Sequence, residues 1–174
     1  MKNLSYLLPL FFLIFSCSDN SDENVFEELM QSEWQRGIDE NPLYASSMGN
    51  LDKNDQWPEY SVEKIQTNYE HDLKILTQLN RLDSNAFSND NLLNLQLFKD
   101  QYINSTELYQ FKNFLMPFSH RGGIQLQHES AETLPLRSVK HYEDWLSRLS
   151  KIDNYIDSHI NVAKAFATLI CESI

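Results

Sequence analysis

Apolar residues in this chain recur at intervals of three and four, and that spacing restricts the fold more than any other feature of the sequence. Val25, Phe26, Leu29, Met30, Trp34 and Ile38 fall on one face of a helix over about 22–38, with Asp22 and Glu23 at its positive N-terminal end. Ser61 caps a second helix with the stripe Ile65, Tyr69, Leu73, Leu76 and Leu79, ending near Leu82. Asp90 or Asn89 caps a third, running to Leu115 through Leu93, Leu97, Tyr102, Leu108 and Phe111. Ser138 caps a fourth, whose buried face is Tyr142, Trp145, Leu146 and Leu149. After a break near Ser150 the period resumes at Ile152, Tyr155, Ile156, Ile160, Ala163, Phe166 and Ile170. Strands would need frequent turn chemistry, and the chain has only 4 glycines and 5 prolines in 174 residues. The expected class is all-α: one domain, an antiparallel array of about five helices with one long irregular loop.

Prolines mark the interruptions. Asn41-Pro42 ends the first helix, and the connector to Trp57-Pro58 holds a short helical turn at Leu43–Ser47. Pro117 and Pro135 bracket the long loop, because proline lacks an N–H and pushes the preceding residue out of helical geometry. Gly122-Gly123 inside it permits a turn with positive φ. A structureless stretch of that length is usually functional, packed on something or disordered.

The first 16 residues read as an export signal, with Lys2 as the positive region, Leu4 to Phe15 as the apolar region and Ser16 before the cut. That apolar region is short for a membrane span. Ile14-Phe15-Ser16-Cys17 resembles a bacterial lipobox, which makes Cys17 the lipidation site and the membrane a partner through a lipid anchor. A chance cysteine after an ordinary signal or a membrane anchor is the alternative. The polar, acidic stretch from Cys17 to Asn24 reads as a flexible tether leading into a helical domain over 25–174. Ser18 stands where an Asp would favour the inner membrane, so the expected location is the outer membrane. The formal net charge of −11 repels a phosphate backbone and argues against nucleic-acid binding.

No stretch assembles a catalytic constellation. His128-Glu129-Ser130-Ala131-Glu132 begins like the two-histidine zinc motif of metallopeptidases but ends in Glu132, so the second imidazole one helical turn on is missing. Solvated loop charge is the better reading, and neither a metal ligand nor a catalytic residue is assigned. His71, His120, His141 and His159 lie on different elements. His120-Arg121 beside Gly122-Gly123 places a cation next to backbone amides that can receive a carboxylate, although turn formation alone explains the glycines equally well. Arg148, one turn after Asp144, suits an i, i+4 ion pair, and Trp34 and Trp145 sit at core spacing.

Over about 25–162 the chain resembles the N-terminal part of a bacterial family known as domain of unknown function 885. The resemblance rests on Asn41-Pro42 with Ala45 and Gly49, on Trp57 through Ser61, and on Met116 through Gln125 with its Pro-Phe-Ser-His-Arg-Gly-Gly block. It continues through Leu134-Pro135 and His141 through Leu149, reaching Tyr155-Ile156-Asp157. It implies an exported protein or lipoprotein of the zinc-metallopeptidase kind, acting on peptides, with the metal motif far downstream of this region. Zinc is therefore expected of full-length relatives and not of this chain. His120, Arg121, Gly122 and Gly123 become a possible contribution to a substrate cleft. After Asn161 the sequence departs from the family pattern, and the expectation is a truncated copy that is catalytically inert alone. The alternative is a complete small helical surface lipoprotein that binds a peptide, glycan or partner protein.

Overall fold

The computed structural model describes residues 21–120 and 122–172, so the expected export signal, Cys17 and Arg121 lie outside the described residues. The all-α class holds. The helices are α1 (Asp22–Glu40), α2 (Pro42–Ser47), α3 (Val62–Leu79), α4 (Asn89–Gln110), α5 (Ser130–Thr133), α6 (Val139–Leu149) and α7 (Ile152–Glu172). The two beyond the expected five are the short α2 and α5.

Local chemistry sets the helix starts. Ser21, Ser61, Ser88 and Ser138 cap α1, α3, α4 and α6, each side-chain oxygen accepting from the backbone N–H three residues on. Asn41 does the same for α2, accepting from the Tyr44 N–H at 3.1 Å, with Pro42 at the first helical position where no N–H is required. Capping by Ser21 brings Asp22, Glu23 and Asn24 into the first turn of α1, so the expected tether joins the fold from Asp22 onward. Glu23 is then fixed by Ser88 Oγ at 2.7 Å and Asn91 Nδ2 at 2.6 Å, which tie the N-termini of α1 and α4 together.

Three expectations about α4 need correction. Its cap is Ser88 and not Asn89 or Asp90, since the Ser88 oxygen is the one placed to accept from the Asn91 N–H. It ends at Gln110 rather than Leu115: Lys112 adopts a left-handed φ of 55°, and a 3-10 turn follows over Asn113–Leu115. The apolar spacing runs on because a 3-10 turn also repeats every three residues. Its buried face is Leu95, Tyr102 and Thr106, while Leu93, Leu97, Leu108 and Phe111 point to solvent. Leucines occupy both sides of this helix, and packing selects the side that meets α1 and α3. There Phe26, Ile75, Leu79, Leu95 and Tyr102 form the core, and Phe26 meets Phe87 and Phe98 edge to face.

The loop between Pro117 and Pro135 is less irregular than expected. β1 (Phe118–Ser119) pairs antiparallel with β2 (Gly122–Gly123), and a 3-10 segment over Ile124–Glu129 leads into α5. On α6 the expected face is also corrected: Tyr142 and Leu146 are exposed, and the fully buried residue is Arg148. The bend between α6 and α7 falls at Ser150, as the sequence suggests. Trp34, assigned to the core by spacing, is half exposed against the edge of Tyr44.

Candidate functional site

Arg148 is the most unusual residue in the chain. Long cationic side chains are almost never fully buried without a partner carboxylate, yet this one forms no salt bridge among the described residues. Its Nη2 donates to Ser46 Oγ at 2.9 Å, to the Lys53 carbonyl at 3.2 Å and to the Pro42 carbonyl at 3.4 Å. Among the described residues Nε and Nη1 have no hydrogen-bond acceptor. The guanidinium carbon lies 6.0 Å and 5.9 Å from the Trp57 and Trp145 ring centroids, so two indoles supply the negative potential that a carboxylate would otherwise give. Burial pulls the Arg148 pKa below its ordinary value, against the more distant pull of Asp55 and Asp144. The group is still a cation at neutral pH. The expected Asp144–Arg148 ion pair does not form; Asp144 binds Lys140 Nζ at 2.8 Å and Asn54 Nδ2 at 3.5 Å instead.

Around this joint the connector 51–60 is stapled to the α6–α7 bend. Trp57 Nε1 donates to the Arg148 carbonyl at 2.6 Å, and Lys151 Nζ reaches Asp55 Oδ2 at 2.7 Å. Trp57 stacks on Tyr155 at 4.8 Å, and Tyr60 stacks on the buried His159 at 4.0 Å. Burial lowers the His159 pKa, opposed by its contact with the Tyr155 carbonyl, and burial pushes the Tyr155 hydroxyl up to about 12. An open cleft of about 440 Å³ beside the joint is lined by Trp57, Tyr60, Lys151 and Tyr155. Three blocks that carry the family resemblance, Trp57–Ser61, His141–Leu149 and Tyr155–Asp157, meet here.

The glycine turn behaves differently. His120 is exposed at its tip, and Gly122 and Gly123 form β2. Gly123 has φ 132°, and a Cβ there would come within 2.6 Å of the Pro117 carbonyl oxygen, so the position requires glycine. Gln125 Nε2 donates to the Ser119 and Gly122 carbonyls at 2.6 and 3.2 Å, closing the turn on itself.

A third constellation was not visible in the sequence. Glu33 on α1 accepts from the Tyr102 hydroxyl at 2.8 Å, pairs with Arg36 Nε at 3.1 Å and lies 2.9 Å from His71 Nε2. Burial raises the Glu33 pKa, but the Tyr102, His71 and Arg36 bonds outweigh it and hold the carboxyl below its ordinary range. Asp72 beside it is buried, accepts from Ser105 Oγ at 2.5 Å and lies 3.5 Å from Arg36 Nη2. Burial raises its pKa, against the Ser105 bond. These residues come from three helices far apart in the chain, so spacing gave no signal.

The zinc implied by the family resemblance does not fit the residues present. His128 lies on the 3-10 segment with Nδ1 3.2 Å from the Gln125 carbonyl, and Glu132 is exposed on α5. Among the described residues no three His, Cys, Asp or Glu side chains converge to hold a metal ion.

A model of the family described as "Bacterial protein of unknown function (DUF885)" matches residues 42–169. Searches of curated proteins and of solved structures return no match. The matched span opens on the first residue of α2, takes in the whole Arg148 joint and the glycine turn, and ends within α7, and on that span the chain belongs to the DUF885 family.

Proposed function

We propose that this chain is the helical scaffold portion of an exported, metallopeptidase-like lipoprotein and is catalytically inert by itself. The observation that carries the reading is a row of apolar side chains without cover on α6: Val139, Tyr142 and Leu146 share a face and are 75%, 53% and 65% exposed. Such a row suits a surface that packs against further protein. Arg148 on the same helix ties α6 to Ser46 and to the Pro42 and Lys53 carbonyls. The sequence also lacks the second histidine that a two-histidine zinc helix needs. With zinc added, the purified protein is expected to hydrolyse no peptide of a mixed library. Stoichiometric zinc that survives mild chelation, or peptide turnover abolished by chelation, would overturn the reading.

Export and anchoring rest on the Ile14-Phe15-Ser16-Cys17 pattern, with the outer membrane favoured by Ser18. Cys17→Ala is expected to release the protein from membranes unlipidated. Continued incorporation of labelled fatty acid would remove this part of the proposal. A second reading, a small surface lipoprotein that binds a peptide, glycan or partner protein, is favoured by the open cleft beside Trp57 and Tyr155. It requires one sharp, cooperative unfolding transition as a monomer, whereas a scaffold face without cover binds hydrophobic dye and self-associates.

A further inference from the structure

Between α3 and α4 lies a cavity of about 210 Å³ with a polar floor and an apolar wall. Asp72 and Ser105 form the floor, joined at 2.5 Å. Ile65 and Leu108 add aliphatic surface, and Asn68 and Asn113 place amide groups in the lining. The wall is a stack of three rings: Tyr69 on Tyr109 at 3.9 Å and 9°, and Tyr109 on Phe114 at 4.8 Å and 17°. The Tyr109 hydroxyl is held by Gln66, which fixes the stack.

The charge of the surroundings selects the ligand. The polar network behind the cavity holds three carboxylates, Glu33, Glu40 and Asp72, against two permanent cations, Arg36 and Lys64. Arg36 is closest to Glu40 at 2.9 Å and Glu33 at 3.1 Å, and reaches Asp72 only at 3.5 Å. Lys64 is engaged with Glu40 at 3.0 Å. Asp72 thus has the weakest cationic contact of the three carboxylates, and it is the one that lines the cavity. An anion would meet this carboxylate in a protein of net charge −11. A neutral apolar ligand would cover the Asp72 carboxylate while adding neither a hydrogen bond nor a compensating charge to it. A cation with a short carbon chain satisfies both surfaces, its N–H groups on the oxygens and its methylenes against the rings.

We propose that this cavity is a binding site for an alkylammonium group, held by the Asp72 carboxylate and Ser105 hydroxyl, with its chain against Tyr69 and Phe114. The proposal is independent of the scaffold reading: failure of either leaves the other standing. A free amine and a lysine side chain share this chemistry, and the experiment separates them. The full chain is titrated at physiological salt with pentylammonium, with 1-pentanol and with N-acetyl-lysine amide, following amide and aromatic NMR shifts. Pentylammonium is expected to bind about tenfold or more tighter than pentanol, the difference one charge-assisted hydrogen bond supplies. Its shifts should gather at Tyr69, Ser105 and Asn113. N-acetyl-lysine amide binding equally well assigns the site to lysine side chains, and its exclusion assigns it to free amines. Asp72→Asn should abolish the preference for the ammonium, and Ser105→Ala, at a more exposed position, should weaken it if the first variant does not fold. Equal binding of pentanol and pentylammonium, or shifts scattered over surface carboxylates, would overturn the proposal.

Discussion

Truncating Arg148 to alanine takes a charged donor from the Ser46 hydroxyl and from the Pro42 and Lys53 carbonyls, which keep Ser46 Oγ and the Gln56 N–H, and opens a gap between two indoles. Losing charged hydrogen bonds at a buried site costs about 3 kcal/mol or more. Arg148→Ala should therefore lower the urea midpoint sharply. Arg148→Lys should recover only part of the loss, since a point charge cannot spread flat between the rings while bonding three acceptors. A midpoint unchanged by the alanine variant would show that the joint does not hold the fold. At His159, burial depresses the folded-state pKa, so the unfolded chain binds a proton more readily than the folded one. Stability from the neutral imidazole is complete above the unfolded value of about 6.5 and is lost as pH falls through the folded pKa. Urea midpoints followed from pH 7.5 to 5 should fall less steeply for His159→Phe than for the parent protein. Parallel curves would remove His159 as a source of acid sensitivity.

At the scale of elements, helix starts were legible because a serine cap and the backbone N–H that donates to it lie three residues apart. Helix ends and faces were less so. α4 stops because Lys112 takes a left-handed conformation, which costs a residue with a Cβ about 1 kcal/mol relative to glycine. Lys112→Gly should consequently raise the stability of the chain by several tenths of a kcal/mol, offset in part by glycine's greater freedom when unfolded. Calorimetry on the two proteins decides it, and a lowered melting temperature would mean that the Lys112 side chain contributes more than its backbone costs. Leucines stand on both sides of α4, and propensity cannot tell which side meets α1 and α3. The same holds for α6, where spacing points Tyr142 and Leu146 inward but Arg148 takes the buried position. A period identifies a stripe, but the stripe with the most hydrocarbon need not be the one a neighbour covers.

On the molecular scale, the chain combines a three-helix core around Phe26 and Leu79 with a second centre around Arg148. Between them α4 and α6 display apolar side chains outward, and no helix among the described residues is long and apolar enough to cross a membrane. If the α6 row is an uncovered contact surface, the double variant Tyr142→Gln/Leu146→Gln should bind less hydrophobic dye and sediment closer to a monomer. Its stability should stay within about 0.5 kcal/mol of the parent, as expected at exposed positions. Unaltered dye binding would place the sticky surface elsewhere. The sequence by itself determined the helical class, four of the main helix starts, the bend at Ser150 and the need for glycine near the Pro117 turn. Each of these depends on residues within a few positions of one another. Only the tertiary structure decided that Arg148 would be buried on Ser46, 102 residues away, and that His71 would meet Glu33 across 38. It likewise decided that Asp72 would line a cavity facing Tyr69 and Phe114. The physical reason is that burial and charge pairing depend on which surfaces pack together, and these contacts join residues too distant in the chain for any local period or cap to announce them.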